Sequence, residues 1–156
     1  MAASDLTRAL DKEGAEYELL PHAHTETATA EAEALGVDPG EVGKTLLLTT
    51  PEGNIRAVLP ASARLDVRKV GELLGVSGKR VHLLNEEQLK SNYGEFELGA
   101  VPPLGGGSRD RVLLDRRLAE RESIVVEAGS HDESARIKTA DLVRLTQAEV
   151  ADICQD

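Results

Sequence analysis

The chain has 156 residues, is 40% hydrophobic and 29% charged, and is long enough for one domain with a buried core. Its net charge of -10 excludes a protein that coats nucleic acid nonspecifically, while local contact with RNA phosphates stays open through Arg64, Arg68 and Lys69, through Lys79-Arg80, and from Arg109 to Arg121. Aromatic content of 2%, with no tryptophan, makes the core aliphatic and disfavours an RNA module that stacks bases on exposed rings.

Ser4 is placed to cap a short amphipathic helix carrying Leu6, Ala9 and Leu10, with Gly14 as its stop. Tyr17 to Leu20 reads as a strand ended by Pro21, and His22 and His24 follow it. Two histidines at that spacing can share a metal, but no third ligand stands nearby, so they read as loop or pocket-rim residues. Thr25 to Leu35 is helical in composition, with Thr27 or Thr29 as cap and Gly36 as stop. Val37 to Glu41 then gives a turn.

The next stretch, Gly43-Lys44-Thr45-Leu46-Leu47-Leu48-Thr49-Thr50, is an apolar strand with one cation at its head. An unpaired ammonium is costly to bury, so Lys44 points into a cleft or snorkels at the strand edge. Gly43-Lys44-Thr45 imitates the end of a phosphate-binding loop. Position 38 is Asp38 rather than glycine, however, and the helix precedes the strand instead of following it, which argues against an ATPase or GTPase. Pro51 to Asn54 signals a hairpin into a strand from Ile55 to Leu59, closed by Pro60.

Asp66 caps a helix with Val67, Val70, Leu73 and Leu74 on one face and Gly75 at its end. Val81 to Leu84 is a short strand, and Asn85 with Gln88 forms a capping box for a helix to about Asn92. Gly94 to Ser108 is irregular. Pro102-Pro103 forbids helix, the glycines permit close backbone approach, and Leu98, Val101 and Leu104 argue for packing, so the loop suits a small-ligand pocket wall. Strands follow at Arg111 to Asp115, Ile124 to Glu127 and Ala135 to Lys138, the last two joined by a turn through Ser130 to Glu133. Thr139 is read as the cap of a helix with Leu142, Val143 and Leu145, and Gln147 to Ile153 as a final helical turn or two.

These pieces predict a single α+β domain over residues 1–156 with a mixed sheet, not a doubly wound parallel one. Cys154, the one cysteine, allows no intrachain disulfide and fits a reducing cytoplasm; it reads as helix packing. The first residues lack the basic start and apolar core of a signal peptide, and no run is long enough to cross a bilayer. No convincing nucleophile appears. A triad of Ser108, His131 and Asp132 would rest on sequence proximity alone.

The order of four segments resembles the YbaK/prolyl-tRNA synthetase-associated domain family of free-standing aminoacyl-tRNA deacylases. They are Gly43-Lys44-Thr45-Leu46, the loop Gly99-Ala100-Val101-Pro102-Pro103, the strands from Val112 to Asp115 and Val125 to Gly129, and Thr139 to Leu145 with Ala148 to Ile153. The resemblance covers nearly the whole chain. It implies a barrel-like mixed sheet flanked by short helices. The implied activity is hydrolysis, without metal or cofactor, of the ester joining a wrong amino acid to the tRNA 3′ adenosine. It makes Lys44 and Gly99 the expected catalytic positions, and Thr45, Ala100, Val101, Pro102, Pro103, Gly129 and His131 the expected substrate-binding ones. The expected partner is the 3′ end of an aminoacyl-tRNA, with a synthetase docked alongside as an open question, and neither DNA nor membrane.

Such an enzyme is a second sieve. One methylene is worth only about 1–3 kcal/mol in a synthetase pocket, so a small non-cognate residue on tRNA(Pro) is a natural target. Backbone amides near Gly99 to Val101, or near Ala128-Gly129, are candidates to stabilise the oxyanion, with water or a substrate group attacking. His131 reads equally as an exposed turn residue or a tRNA-facing one. Two other readings stay on the table: a non-catalytic tRNA-binding or regulatory module of the same fold, and a metal-dependent hydrolase using His22 and His24.

Overall fold

The computed structural model describes residues 5–106 and 110–156. Its elements in chain order are α1 (Asp5–Lys12), β1 (Tyr17–Pro21), α2 (Ala28–Leu35), β2 (Val42–Thr50), β3 (Gly53–Pro60), α3 (Val67–Leu74), β4 (His82–Leu83), α4 (Glu86–Asn92), β5 (Arg111–Asp115), α5 (Arg116–Ala119), β6 (Ser123–Ser130), β7 (Glu133–Lys138), α6 (Thr139–Thr146) and β8 (Glu149–Ala151), with 3-10 turns at Pro39–Glu41 and Gly78–Arg80. Among the described residues the strands form one eight-stranded mixed sheet in the order β1-β7-β6-β2-β3-β5-β8, with β4 added beside β2. Ser4 and Ser108, named above as a cap and a triad member, lie outside the described residues.

The sheet is covered on both faces, and the two-residue period of β3 shows how. Ile55, Ala57 and Leu59 pack with Leu48, Leu113, Val70, Leu74, Ile153 and Cys154. Val58, pointing the other way, packs with Leu6, Leu10, Leu114, Leu118, Ile124, Val126 and Leu142. Hydrophobic burial on this scale is the main favourable term holding the domain together. The caps read from sequence are in place: Thr27 accepts from the Ala30 N–H, Asp66 from the Arg68 and Lys69 N–H groups, and Asn85 and Gln88 bond reciprocally. Pro21 ends β1 on the outer edge of the sheet, where its missing N–H costs no ladder bond.

Two C-terminal expectations are corrected. Thr139 is the first helical residue of α6, not its cap, because β7 runs straight into the helix through Lys138. Residues expected as a last helical turn instead reverse at Gln147 (φ 54°) and add β8 to the open edge of β5, pairing Leu113 with Glu149 and Asp115 with Ala151. The unpaired ladder groups of that edge favour a strand over the local helical preference. Cys154 is therefore not helical. It is 1% exposed and bridges antiparallel to Leu65.

Candidate functional site

β2 is the hinge of the site. Along one side it takes β3 for its whole length; along the other it meets β6 only at Val42 and Gly43 and β4 only at Leu48 and Thr49. Between those two short pairings the sheet is open, and a cavity of about 380 Å³ lies there, lined by Lys44, Thr45 and Leu46 of β2. Ala61, the N-terminal turn of α2 at Thr27 to Thr29, Gly99 and Val101 of the long loop, Glu26 and Glu127 complete the lining.

Lys44 is half-buried. Its ammonium donates to the carbonyls of Ala61 (3.3 Å) and Ala63 (2.6 Å), which leaves the third of its three donors unused among the described residues. Burial holds this amine below the usual lysine range, opposed by the nearby Cys154 thiol and reinforced by Arg64. In the first turn of α2 the Ala30 and Glu31 N–H groups are taken by Thr27, while those of Ala28 and Thr29 donate to nothing among the described residues and, with the positive end of the helix dipole, border the same hollow.

The opposite wall is the loop. Gly99 has φ 84°, a conformation glycine adopts without strain. The Ala100 N–H is spent on the Glu97 carbonyl, whereas the N–H groups of Gly99 and Val101 donate to nothing among the described residues. The loop is held from beneath by Arg56, 2% exposed on β3. Its guanidinium donates to Asp110 (2.9 Å), to the Pro102 carbonyl (2.9 Å) and to the Gly105 carbonyl (2.8 Å), and the Tyr93 hydroxyl donates to the same Asp110 carboxylate (2.8 Å). It is also latched sideways onto a bulge of β6, where the pairing with β7 slips between Glu127 and Ser130. There the Glu97 N–H donates to the Gly129 carbonyl, the His131 N–H donates to the Glu97 carboxylate, and His131 Nε2 donates to the Leu98 carbonyl (2.7 Å). Phe96 covers Gly129 so closely that a Cβ there would lie 2.9 Å from the ring.

His131 is thus buried, 5% exposed, not a solvent-facing turn residue. Because its Nε2 carries the proton given to Leu98, its Nδ1 faces Glu127 Oε2 at 3.0 Å. An ionised Glu127 and an unprotonated Nδ1 are both acceptors, and neither atom has a hydrogen-bond partner as they stand. One proton between them satisfies both. Burial, with Glu31, Glu97 and Glu26 nearby, pushes the Glu127 carboxyl up to about 9, so Glu127 holds that proton at neutral pH. Glu31, fully buried, is likewise raised by burial; its carboxylate accepts from Ser134, whose hydroxyl also meets His22 Nε2 (2.9 Å).

Of the residues singled out by sequence, Lys44, Thr45, Gly99 and Val101 meet at the cavity. Ala100, Pro102 and Pro103 are buried in the loop behind it, and Gly129 and His131 brace that loop from the β6 bulge. His22 and His24 turn to different partners, Ser134 and Glu26 (2.7 Å), and no group of three or more metal-ligating side chains occurs among the described residues. Sequence reasoning missed Glu127, Arg56 and the first turn of α2. The signal for the first two was a charge inside an apolar strand, Val-Val-Glu-Ala and Ile-Arg-Ala-Val.

The family model described as "Aminoacyl-tRNA editing domain" matches residues 22–145. Over 151 residues, 93% of this chain and 88% of the other, the sequence is 28% identical to the "Multifunctional Ser/Thr-tRNA deacylase ProXp-y" of Escherichia coli (strain K12). Over 139 residues, 88% and 83% of the two chains, it is 27% identical to the "Putative Cys-tRNA(Pro)/Cys-tRNA(Cys) deacylase EbsC" of Enterococcus faecalis (strain ATCC 700802 / V583). In three dimensions it resembles, with a TM-score of 0.87 and 25% identity over 97% of this chain and 96% of that one, the crystal structure of "a putative trans-editing enzyme for prolyl tRNA synthetase".

Proposed function

Because the chain belongs to the aminoacyl-tRNA editing domain family, we propose that it is a metal-independent deacylase that removes a small non-cognate amino acid from mischarged tRNA, with tRNA(Pro) as the first candidate. The observation that carries this reading is the meeting of Lys44 with Gly99 and Val101 across one cavity. At about 380 Å³ the cavity is near the lower end for ligand pockets. Apart from Leu46, its apolar lining is Ala28, Ala61, Gly43, Gly99 and Val101, which suits a terminal adenosine bearing a short side chain.

The lining contains no cysteine or histidine, so it offers no strong nucleophile; of its two carboxyls Glu127 is pushed up by burial, while Glu26 is held low by its hydrogen bond to His24. Aminoacyl esters are already activated, and positioning with charge stabilisation suffices. A water oxygen, or a thiol of the amino acid's own side chain, bonds to the ester carbonyl carbon and gives up its proton, which passes to the departing ribose oxygen. The carbonyl oxygen takes up the negative charge, and collapse breaks the bond to the ribose oxygen, which leaves with a proton. The unspent N–H groups of Gly99 and Val101 are the donors for that oxyanion, and the third Lys44 donor and the α2 N-terminus hold the anionic 3′ nucleotide. Arg56, Glu127 and His131 act through the loop, by fixing where those N–H groups stand.

The test is a panel of alanyl-, cysteinyl-, seryl- and threonyl-tRNA(Pro), with loss of the ester followed over time against the spontaneous rate. Enzyme-dependent loss of at least one ester, unaffected by a chelator, is expected. Binding without loss across the panel would instead identify a recognition module.

A further inference from the structure

Beside the first cavity lies a second, also of about 380 Å³, lined by Gly40, Pro60, Ser62, Ala63, Arg117, Arg121, Cys154 and Gln155. Its charge is of the opposite kind. The first hollow has two carboxyls and one amine in its wall; the second has two guanidiniums and no carboxylate. In a chain of net charge -10 such a place is unusual.

The two arginines are loosely tied. Among the described residues Arg121 pairs only with Asp38, at 3.6 Å, and Arg117 meets Asp115 at 3.4 Å and Asp152 at 3.5 Å. Their side chains are 38% and 41% exposed. These contacts are at the long end for charge-assisted bonds, so each planar fork keeps N–H donors free for another anion. Ser62 and Gln155 add neutral donors to the same wall.

One turn separates the hollows. Ala61 lines the first, Pro60, Ser62 and Ala63 line the second, and the Lys44 ammonium grips the carbonyls of both Ala61 and Ala63. Two residues of chain span at most about 7 Å, so the two walls are close neighbours. The walls of the two hollows therefore share the 60–63 turn, which puts the second within reach of a polynucleotide whose terminal nucleoside occupies the first.

We propose that the Arg117–Arg121 cavity is a phosphate subsite for the single-stranded RNA immediately 5′ of the esterified adenosine. This rests on the deacylase reading above. It adds the place where this acidic protein grips the backbone of its substrate, separate from the place where the ester is cleaved.

The fastest-cleaved ester of the panel is presented in two forms, as aminoacyl-tRNA and as the aminoacyl ester of adenosine, which has no 5′ phosphodiester. Arg121→Ala and Arg121→Glu are compared with wild type, and Arg117→Lys retains charge beside buried Asp115 while losing the fork. On tRNA, Arg121→Ala is expected to lower kcat/KM roughly tenfold or more through KM, with Arg121→Glu lower still. The logarithmic salt slope should fall by about 0.7. On the adenosine ester all variants should match wild type. Equal activity of wild type and Arg121→Glu on tRNA would overturn the subsite, as would an equal loss on both substrates. If wild type cleaves neither form, the deacylase reading fails, and binding of a fluorescent cytidylyl-cytidylyl-adenosine trinucleotide decides the subsite alone: weaker binding to Arg121→Glu supports it and unchanged binding overturns it.

Discussion

Replacing Glu127 by glutamine should remove a pH-dependent weakness of the fold. Glutamine has nearly the same shape, and its amide can donate to His131 Nδ1 as the protonated carboxyl does. In the wild type, the Glu127 carboxyl is held up at about 9 against an ordinary 4.5. Between those values the folded chain binds a proton that the unfolded chain lacks. The stabilisation this gives is complete below the unfolded value and is lost as pH climbs through the folded one, so stability falls with rising pH at up to about 1.4 kcal/mol per unit. From pH 5 to 8 the upper limit is about 4 kcal/mol, and relaxation of Glu31, Glu97 and Glu26 around the site should bring it to roughly half. Glu127→Gln should therefore match wild type near pH 5 and exceed it by about 2 kcal/mol at pH 8. Urea unfolding followed by far-UV circular dichroism at pH 5, 6, 7 and 8 measures this directly. Two parallel curves of unfolding free energy against pH would show that no proton is held at Glu127, and the account of the His131 pair would be wrong.

Three further outcomes are expected. Lys44→Ala should lower ester hydrolysis by a factor of 100 or so while circular dichroism and Tm report an intact fold; near-normal turnover would remove Lys44 from the chemistry. Arg56→Met should cost about 3–5 kcal/mol in urea unfolding, because the buried Asp110 carboxylate and the Pro102 and Gly105 carbonyls all lose the guanidinium, and should depress activity in whatever fraction stays folded. The Cys154 thiol, buried and pushed up to about 12, should react with an aromatic disulfide reagent far more slowly in the native protein than after unfolding, and rapid labelling at pH 8 would contradict its burial.

Much of the frame was legible because its signals are local. Thr27 with Gly36, Asp66 with Gly75, and Asn85 with Gln88 mark their helices by side-chain chemistry within one turn, and Pro51 to Asn54 marks its hairpin. The errors fall where distant partners decide. Glu149 to Ala151 is a strand because β5 leaves an edge vacant, a fact no window around those residues contains. Lys44 and the Gly99–Pro103 loop stand out through the resemblance of segments, and the fold brings Lys44, Gly99 and Val101 to one cavity, but their supports leave no such pattern. Arg56 alternates with Ile55 and Ala57 as an outward strand residue would, and only the fold reveals that its other side is the underside of the loop. Glu127 stands where strand pairing slips, and its proton is held first by burial and then by the carboxylates of Glu31, Glu97 and Glu26, all distant in sequence.

The grip of Arg56 has an evolutionary reading. It seizes the main-chain oxygens at positions 102 and 105, so anchorage makes no demand on the side chain that faces the cavity at position 101. The residue there can be exchanged by mutation without unfastening the segment from the body of the protein. On the proposed reading of the cavity, a change of amino-acid preference at this wall would leave its anchorage to the sheet untouched.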